Sequence, residues 1–269
     1  MPTVVTLCGS LSRVASPLGR AMHEAAYRAA GIAFTYVPFA ITDLAGAVVG
    51  MRALGIRGFG VSQPFKEQVI ALLDDLDPLA ARIGAVNTIV NDGGRLVGHN
   101  TDWIGATRAL EEVRSLSGAR VLLLGAGGAA RAIAFGLHER GAVTVIANRD
   151  VARAERLAAS TGARAIALAD VVRAAADHDI VVNATSIGQA PATGGTPLPD
   201  AALRPGLVVM DIVYKPLATA LLAAAKARGA IAIQGSRMLL HQAAAQFELY
   251  TARAAPLGAM EAALRATIV

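Results

Sequence analysis

Short apolar runs alternate with Ala/Leu/Arg segments of helical period from one end of the chain to the other. A parallel strand covered by helices is buried on both faces and reads as such a run, so the expected class is α/β. In the first hundred residues, strands are predicted at Val4 to Leu7, Ala33 to Pro38, Arg57 to Val61, Thr88 to Asn91 and Arg95 to His99. Ser16 is placed as N-cap and Pro17 at the first position of a helix that runs through Met22 to Ala30, where Gly31 stops it. A second helix spans about Asp43 to Leu54, and Pro64-Phe65-Lys66-Glu67 opens a third. Asn91-Asp92-Gly93-Gly94 joins two short strands as a hairpin, so this sheet is expected to be mixed at one edge.

The texture changes near Ser115 to Gly118. Beyond it come a strand (Val121 to Leu124), a glycine-rich turn, a helix (Ala129 to Arg140), a strand (Thr144 to Ala147) and a helix (Ala152 to Thr161). Further strands follow at Ile180 to Asn183, Leu207 to Asp211 and Ala230 to Ile233, which makes a second, doubly wound domain. Two helices, Met238 to Ala254 and Leu257 to Ala266, close the chain and are expected to pack back on the first domain. The division is therefore residues 1–103 with 238–269, and residues 104–237. Gln189 to Thr196 is a Gly/Pro/Thr loop with the composition of a mobile lid.

Composition narrows the class. Hydrophobic residues are 54% and charged ones 17% of 269 residues, which excludes wholesale disorder, and aromatics at 4% leave an aliphatic core. Mean hydropathy is +0.49, yet every apolar run is broken before about 18 residues, so no membrane span is expected. Met1-Pro2-Thr3 lacks the basic start of a signal peptide, and a cytoplasmic location is expected. Cys8, the single cysteine, reads as a buried and inert thiol at the end of a strand. The five histidines are scattered, so no metal is expected. A net charge of +5 comes from dispersed residues with no Lys/Arg run, which argues against nucleic acid and for an anionic small substrate or cofactor. Three of the 25 basic residues are lysines, Lys66, Lys215 and Lys226, which singles each out for inspection.

Gly125-Ala126-Gly127-Gly128-Ala129-Ala130 follows an apolar strand and opens a helix, the context that a dinucleotide fingerprint demands. The first glycine allows the tight turn, the second lets backbone approach a pyrophosphate, and the helix N-terminus holds its charge. At the end of the next strand stand Asn148 and Arg149, where a carboxylate would select NAD. Arg149, with Arg153 one turn later, suits the 2′-phosphate of NADP. Asp150 either faces the ribose or caps the following helix.

Three polar clusters interrupt strand ends of the first domain: Val61-Ser62-Gln63-Pro64-Phe65-Lys66-Glu67, Gly84-Ala85-Val86-Asn87-Thr88 and Gly98-His99-Asn100-Thr101-Asp102-Trp103. Strand ends are where α/β proteins place ligands. With Asn183-Ala184-Thr185-Ser186-Ile187-Gly188, Asp211-Ile212-Val213-Tyr214-Lys215-Pro216 and the run Gly235 to Gln242, they give a pattern that resembles the shikimate dehydrogenase family over nearly the whole length.

The resemblance implies a two-domain α/β enzyme with its active site in the cleft between domains. Such an enzyme interconverts 3-dehydroshikimate and shikimate with NADP, in aromatic amino acid and chorismate biosynthesis, as a monomer or homodimer. Carried over by position, it makes Lys66 and Asp102 the catalytic pair, and Ser16, Ser62, Asn87, Tyr214 and Gln242 substrate contacts. Tyr214 reads equally as a half-buried interface residue. Gly125, Ala126, Gly127, Gly128, Ala129, Asn148, Arg149, Arg153, Ser186, Ile212 and Gly235 then hold the cofactor. A positioned ammonium suits the reaction, because ketone reduction develops negative charge on oxygen.

The family's paired serines, Ser-x-Ser-Pro, stand here as Val14 and Ser16, with Ser10 and Ser12 as substitute hydroxyls in the same loop. Ser10-Leu11-Ser12, Leu54-Gly55-Ile56-Arg57-Gly58 and Gln246-Phe247-Glu248-Leu249-Tyr250 resemble the shikimate dehydrogenase-like branch of the family. The alternatives are quinate as substrate with NAD, through Asp150, and an NADP-binding regulatory paralogue with weak turnover.

Overall fold

In the computed structural model, which describes residues 4–268, the apolar runs form two separate six-stranded sheets. Contacts divide the chain into two units, one running up to Thr101 and resuming at Leu240, the other Asp102–Leu239.

The first unit holds β1 (Thr6–Ser12), α1 (Pro17–Ala29), β2 (Phe34–Ala40), α2 (Leu44–Ala53), β3 (Gly58–Val61), α3 (Phe65–Gln68), β4 (Asp75–Leu76), α4 (Pro78–Ile83), β5 (Thr88–Asp92) and β6 (Arg95–His99). Its strand order is β2-β1-β3-β5-β6-β4. β1 runs parallel to β2 and β3, whereas β5 is antiparallel to β3 and β6, so the sheet is mixed at one edge as predicted. The hairpin turns through Gly93 and Gly94, both at positive φ. Ser16 caps α1 and Asp43 caps α2 through their side chains.

The first strand departs from the prediction. It starts at Thr6 and continues to Ser12, paired with β2 throughout, because Gly9 can enter a close strand pair that looks like an interruption in sequence. A Cβ there would stand 2.2 Å from the Val37 carbonyl oxygen. Ser10 and Ser12 are thus strand residues and not part of a loop, and Cys8 lies inside the strand, fully buried.

The second unit comprises α5 (Asp102–Glu111), β7 (Arg120–Leu124), α6 (Gly128–Glu139), β8 (Val143–Asn148), α7 (Val151–Thr161), β9 (Arg164–Ala167), α8 (Val171–Ala176), β10 (Ile180–Asn183), β11 (Val208–Asp211), α9 (Ala220–Ala227) and β12 (Ile231–Gln234). All pairs are parallel in the order β12-β11-β10-β7-β8-β9. The order reverses between β7 and β10, and the strand ends at that point form the crevice where doubly wound folds bind ligands. Leu122, Val145, Val181, Val209 and Leu221 belong to the core on one side of this sheet.

Four elements here escape the periodicity. β9 is an edge strand of four residues and α8 a helix of six, both too short to establish a period. α9 is mostly Ala and α5 mixes small residues with few large apolar ones, which blurs the contrast between faces. The chain ends in α10 (Gly235–Thr251) and α11 (Leu257–Thr267), and α10 begins three residues earlier than Met238. α11 packs along α1 in the first unit, as expected, burying Met260 and Leu264. Among the described residues, no helix is long and apolar enough to cross a membrane.

Candidate active site

The three polar clusters of the first unit converge because their backbones hydrogen-bond to one another. After β3 the chain turns through Ser62 and a cis Gln63–Pro64 peptide, with Ser62 N–H on the Leu11 carbonyl at 3.0 Å and Val61 N–H on the Asn87 carbonyl at 2.7 Å. Lys66 follows in α3, anchored by buried Phe65, and its carbonyl accepts Val86 N–H at 2.8 Å. The third cluster closes the set: Asn100 Nδ2 donates to the Ala85 carbonyl at 2.9 Å, and Thr101 N–H to Asn87 Oδ1 at 2.6 Å.

Asn87, 2% exposed, is the hub. Its Oδ1 also accepts the Thr88 hydroxyl at 2.8 Å, and its Nδ2 donates to Thr101 Oγ1 at 3.0 Å and to Gln242 Oε1 at 3.1 Å. The structure therefore joins two of the expected substrate contacts, Asn87 and Gln242, across 155 positions of sequence. Ser16 accepts Leu18 N–H as cap, and the Ser12 hydroxyl donates to the Val14 carbonyl at 2.9 Å. Val14 is 80% exposed. Asp102 and Tyr214 belong to the second unit: Asp102 is the buried first residue of α5, where a carboxylate faces the positive end of the helix, and Tyr214 is 38% exposed.

In the second unit, β7 leads into Gly125 at φ +110°, where a Cβ would meet the Ala184 carbonyl oxygen at 3.0 Å. Gly127 caps α6 with no side-chain hydrogen bond, the space beside its Cα is open, and no acidic residue occupies the first turn. The first amides of α6 are thus available to an anion, and the dinucleotide pyrophosphate fits this cradle. Asp150 accepts Arg153 N–H at 3.1 Å, so its carboxylate caps α7. Asn148 Nδ2 donates to the Asp150 carbonyl, and Arg149 and Arg153 expose their guanidinium groups. Arg149 borders an open cavity of about 580 Å³ whose walls include Leu168, Val171 and Pro197.

The loops after β10 and β11 hang on one buried carboxylate. Asp211 accepts from Asn183 Nδ2 at 2.9 Å, Val213 N–H at 3.1 Å and Thr219 Oγ1 at 2.7 Å. Asn183 Oδ1 in turn holds the amide and hydroxyl of Thr185. Burial pushes the Asp211 carboxyl above its ordinary pKa, and the three donors pull it back. This ties the segments that carry Ser186, Ile212 and Tyr214. Gly235 closes against Ile212, for a Cβ there would stand 2.4 Å from the Ile212 carbonyl oxygen. Within the Gln189 to Thr196 loop, Ala190 N–H bonds to the Lys215 carbonyl at 3.0 Å.

Sequence reasoning did not single out Thr88, Thr101, Asn183, Asp211 or Gln246. Each is a polar residue buried to 7% exposure or less, and a polar side chain inside an apolar strand or on the buried face of a helix is the signal that finds them.

Three family models match the chain: shikimate dehydrogenase substrate binding domain over residues 9–89, shikimate / quinate 5-dehydrogenase over 107–195, and shikimate 5′-dehydrogenase C-terminal domain over 235–265. The shikimate dehydrogenase (NADP(+)) of Moorella thermoacetica is 46% identical over 263 residues, covering 93% of this chain and 88% of the relative. Among solved structures, shikimate 5-dehydrogenase from Thermus thermophilus in complex with NADP(H) and shikimate is 36% identical with a TM-score of 0.89, covering 98% of this chain and all of the other. The ligand-free 5-ketofructose reductase of a Gluconobacter species has the same identity and TM-score, over 98% of this chain and 99% of its own.

Proposed function

This chain belongs to the shikimate dehydrogenase family, and from that premise we propose that it is an NADP-dependent oxidoreductase interconverting 3-dehydroshikimate and shikimate. The observation that carries the reading is the knot of hydrogen bonds at Asn87, which brings three polar clusters to one sheet end where hydroxyl groups can be counted and matched. We assign substrate binding to residues 1–103 with 238–269 and NADP binding to residues 104–237.

NADP, when bound, supplies or accepts the hydride. The amides of Gly127 to Ala129 would hold its pyrophosphate, Arg149 and Arg153 its 2′-phosphate, and the segments at Ser186, Ile212 and Gly235 its nicotinamide end. Lys66 donates a proton from Nζ to the ketone oxygen as charge develops there, and takes it back in the reverse direction. Asp102 binds a substrate hydroxyl. Asn87, Ser62 and Gln242 satisfy the ring hydroxyls, and Ser16 with Tyr214 serves the carboxylate.

Shikimate and NADP mixed with the purified protein should generate the absorbance of reduced cofactor. Lys66→Ala should lower turnover by about 10² to 10⁴-fold; turnover that survives the substitution intact would refute the role of Lys66.

A second reading draws on the serine loop. Val14 offers no hydroxyl and Ser12 has committed its proton to the Val14 carbonyl, so the carboxylate grip has fewer donors than the family's paired serines provide. That favours a neutral keto-polyol of the 5-ketofructose type. Rates with shikimate, quinate and 5-ketofructose, each with NADP and NAD, separate the readings.

A further inference from the structure

Behind Asn87 the hydrogen bonds continue into the core of the first unit and reach a buried imidazole. Gln246, 5% exposed, lies one turn beyond Gln242 on α10 and donates through Nε2 to the Asn87 carbonyl at 3.3 Å and to Thr88 Oγ1 at 3.1 Å. A backbone carbonyl only accepts, so this end of the amide must be the NH₂ group, and Oε1 faces the other way. There it meets His23 Nε2 at 3.4 Å. His23 is fully buried and stacked on Tyr36, with ring centroids 4.5 Å apart and planes 3° from parallel. Since Gln246 Oε1 can only accept, His23 Nε2 carries the proton. His23 Nδ1, which has no hydrogen-bond partner, is then the bare nitrogen of a neutral ring.

Polarity propagates outward from there. Thr88 Oγ1 accepts from Gln246 and turns its own proton to Asn87 Oδ1 at 2.8 Å, nearer than the Thr101 hydroxyl at 3.2 Å. Oδ1 also accepts the Thr101 amide, which can only donate and so fixes this end of the side chain, and Nδ2 is directed at Thr101 Oγ1 and Gln242 Oε1. With Oε1 engaged, Gln242 has its NH₂ group to offer. Gly60 makes room for the relay, because a Cβ there would stand 3.2 Å from Gln246 Nε2 and 3.3 Å from the Tyr36 hydroxyl.

We propose that Gln246, whose amide bridges His23 to Asn87 and Thr88, is a positioning residue for substrate recognition: together with the Thr101 amide it holds Thr88 and Asn87 in the arrangement that directs Asn87 Nδ2 at Gln242. The substrate then meets an N–H donor at Gln242 and must present an oxygen lone pair to it. The proposal rests on the function proposed above, in which Asn87 and Gln242 bind ring hydroxyls. Those hydroxyls are bonded equally in ground and transition states, so the relay should govern KM and not kcat.

The test is Gln246→Met, which keeps the length of the side chain and removes both polar atoms. The KM for shikimate should rise about tenfold, with kcat and the KM for NADP changed less than twofold. In an Asn87→Ala background, Gln246→Met should change the KM less than twofold, because its effect passes through Asn87. An unchanged KM, a fall in kcat of the same size, or an equal effect in both backgrounds would overturn the proposal. Nitrogen NMR of the wild-type protein at neutral pH gives an independent reading: a neutral His23 protonated on Nε2 is expected, and protonation on Nδ1 would contradict the direction assigned to the Gln246 amide and overturn the relay. A wild type silent toward shikimate would sink the proposed function instead, while the His23 spectrum would still decide the relay.

Discussion

Acid should loosen the first unit through His23. Burial lowers the pKa of this imidazole from 6.5 to about 4, and its hydrogen bond to Gln246 offsets only part of that. Between those two values the unfolded chain binds a proton that the folded chain refuses. The stabilisation is therefore present above pH 6.5, falls as the pH drops through the window, and is gone below about 4. Integrated from pH 7 to pH 5, these two values give a loss of about 2 kcal/mol. His23→Phe retains a ring against Tyr36 and cannot titrate. It should cost roughly 1–3 kcal/mol at pH 7, because Gln246 Oε1 loses its donor in a buried place, but its stability should fall by about 2 kcal/mol less over the same interval, so the cost relative to wild type shrinks toward pH 5. Urea titrations followed by near-ultraviolet circular dichroism suit the purpose, since Tyr27, Tyr36 and Tyr250 all have rings within 5.8 Å of His23. His99 is shifted down by burial as well and acts equally in both proteins. Identical pH dependence in wild type and His23→Phe would refute the argument.

Removing the guanidinium in Arg149→Ala should raise the KM for NADP by roughly 10 to 100-fold and leave that for NAD nearly unchanged, as cofactor-dependent initial rates would show. Gly58→Ala should lower the melting temperature, costing about 1–3 kcal/mol, because its Cβ would sit 2.2 Å from the ring of buried Tyr250. Gly50→Ala on α2 meets open space and should raise stability by up to about 1 kcal/mol, so calorimetry of the pair should give opposite signs. Cys8 is fully buried with its thiol pushed up to about 11, and it should resist iodoacetamide until the protein is unfolded.

The fold's likeness to both a shikimate dehydrogenase and a 5-ketofructose reductase, at equal TM-score, shows why substrate must be argued from side chains. The Leu54 to Gly58 motif illustrates what such residues do. Arg57 donates from Nε to the Tyr250 carbonyl at 2.9 Å and from Nη2 to the Leu249 carbonyl at 3.2 Å, satisfying the end of α10, while Gly58 admits the Tyr250 ring. That clamp fixes the helix from which Gln242 and Gln246 project.

Much was legible in the chain because local patterns carry it. Continuous apolar runs announce buried parallel strands, and a glycine at the end of such a run announces the tight turn that opens α6; neither depends on distant residues. The first strand is expected to end at Leu7 but runs to Ser12, because Gly9 admits a close strand pair that only the partner strand reveals. Tertiary structure alone decided whether Asp150 caps a helix or reaches outward, and which buried polar atoms face one another. His23 and Gln246 are 223 positions apart, and hydrogen-bond polarity is a property of the pair, written in neither residue until folding brings donor and acceptor within reach.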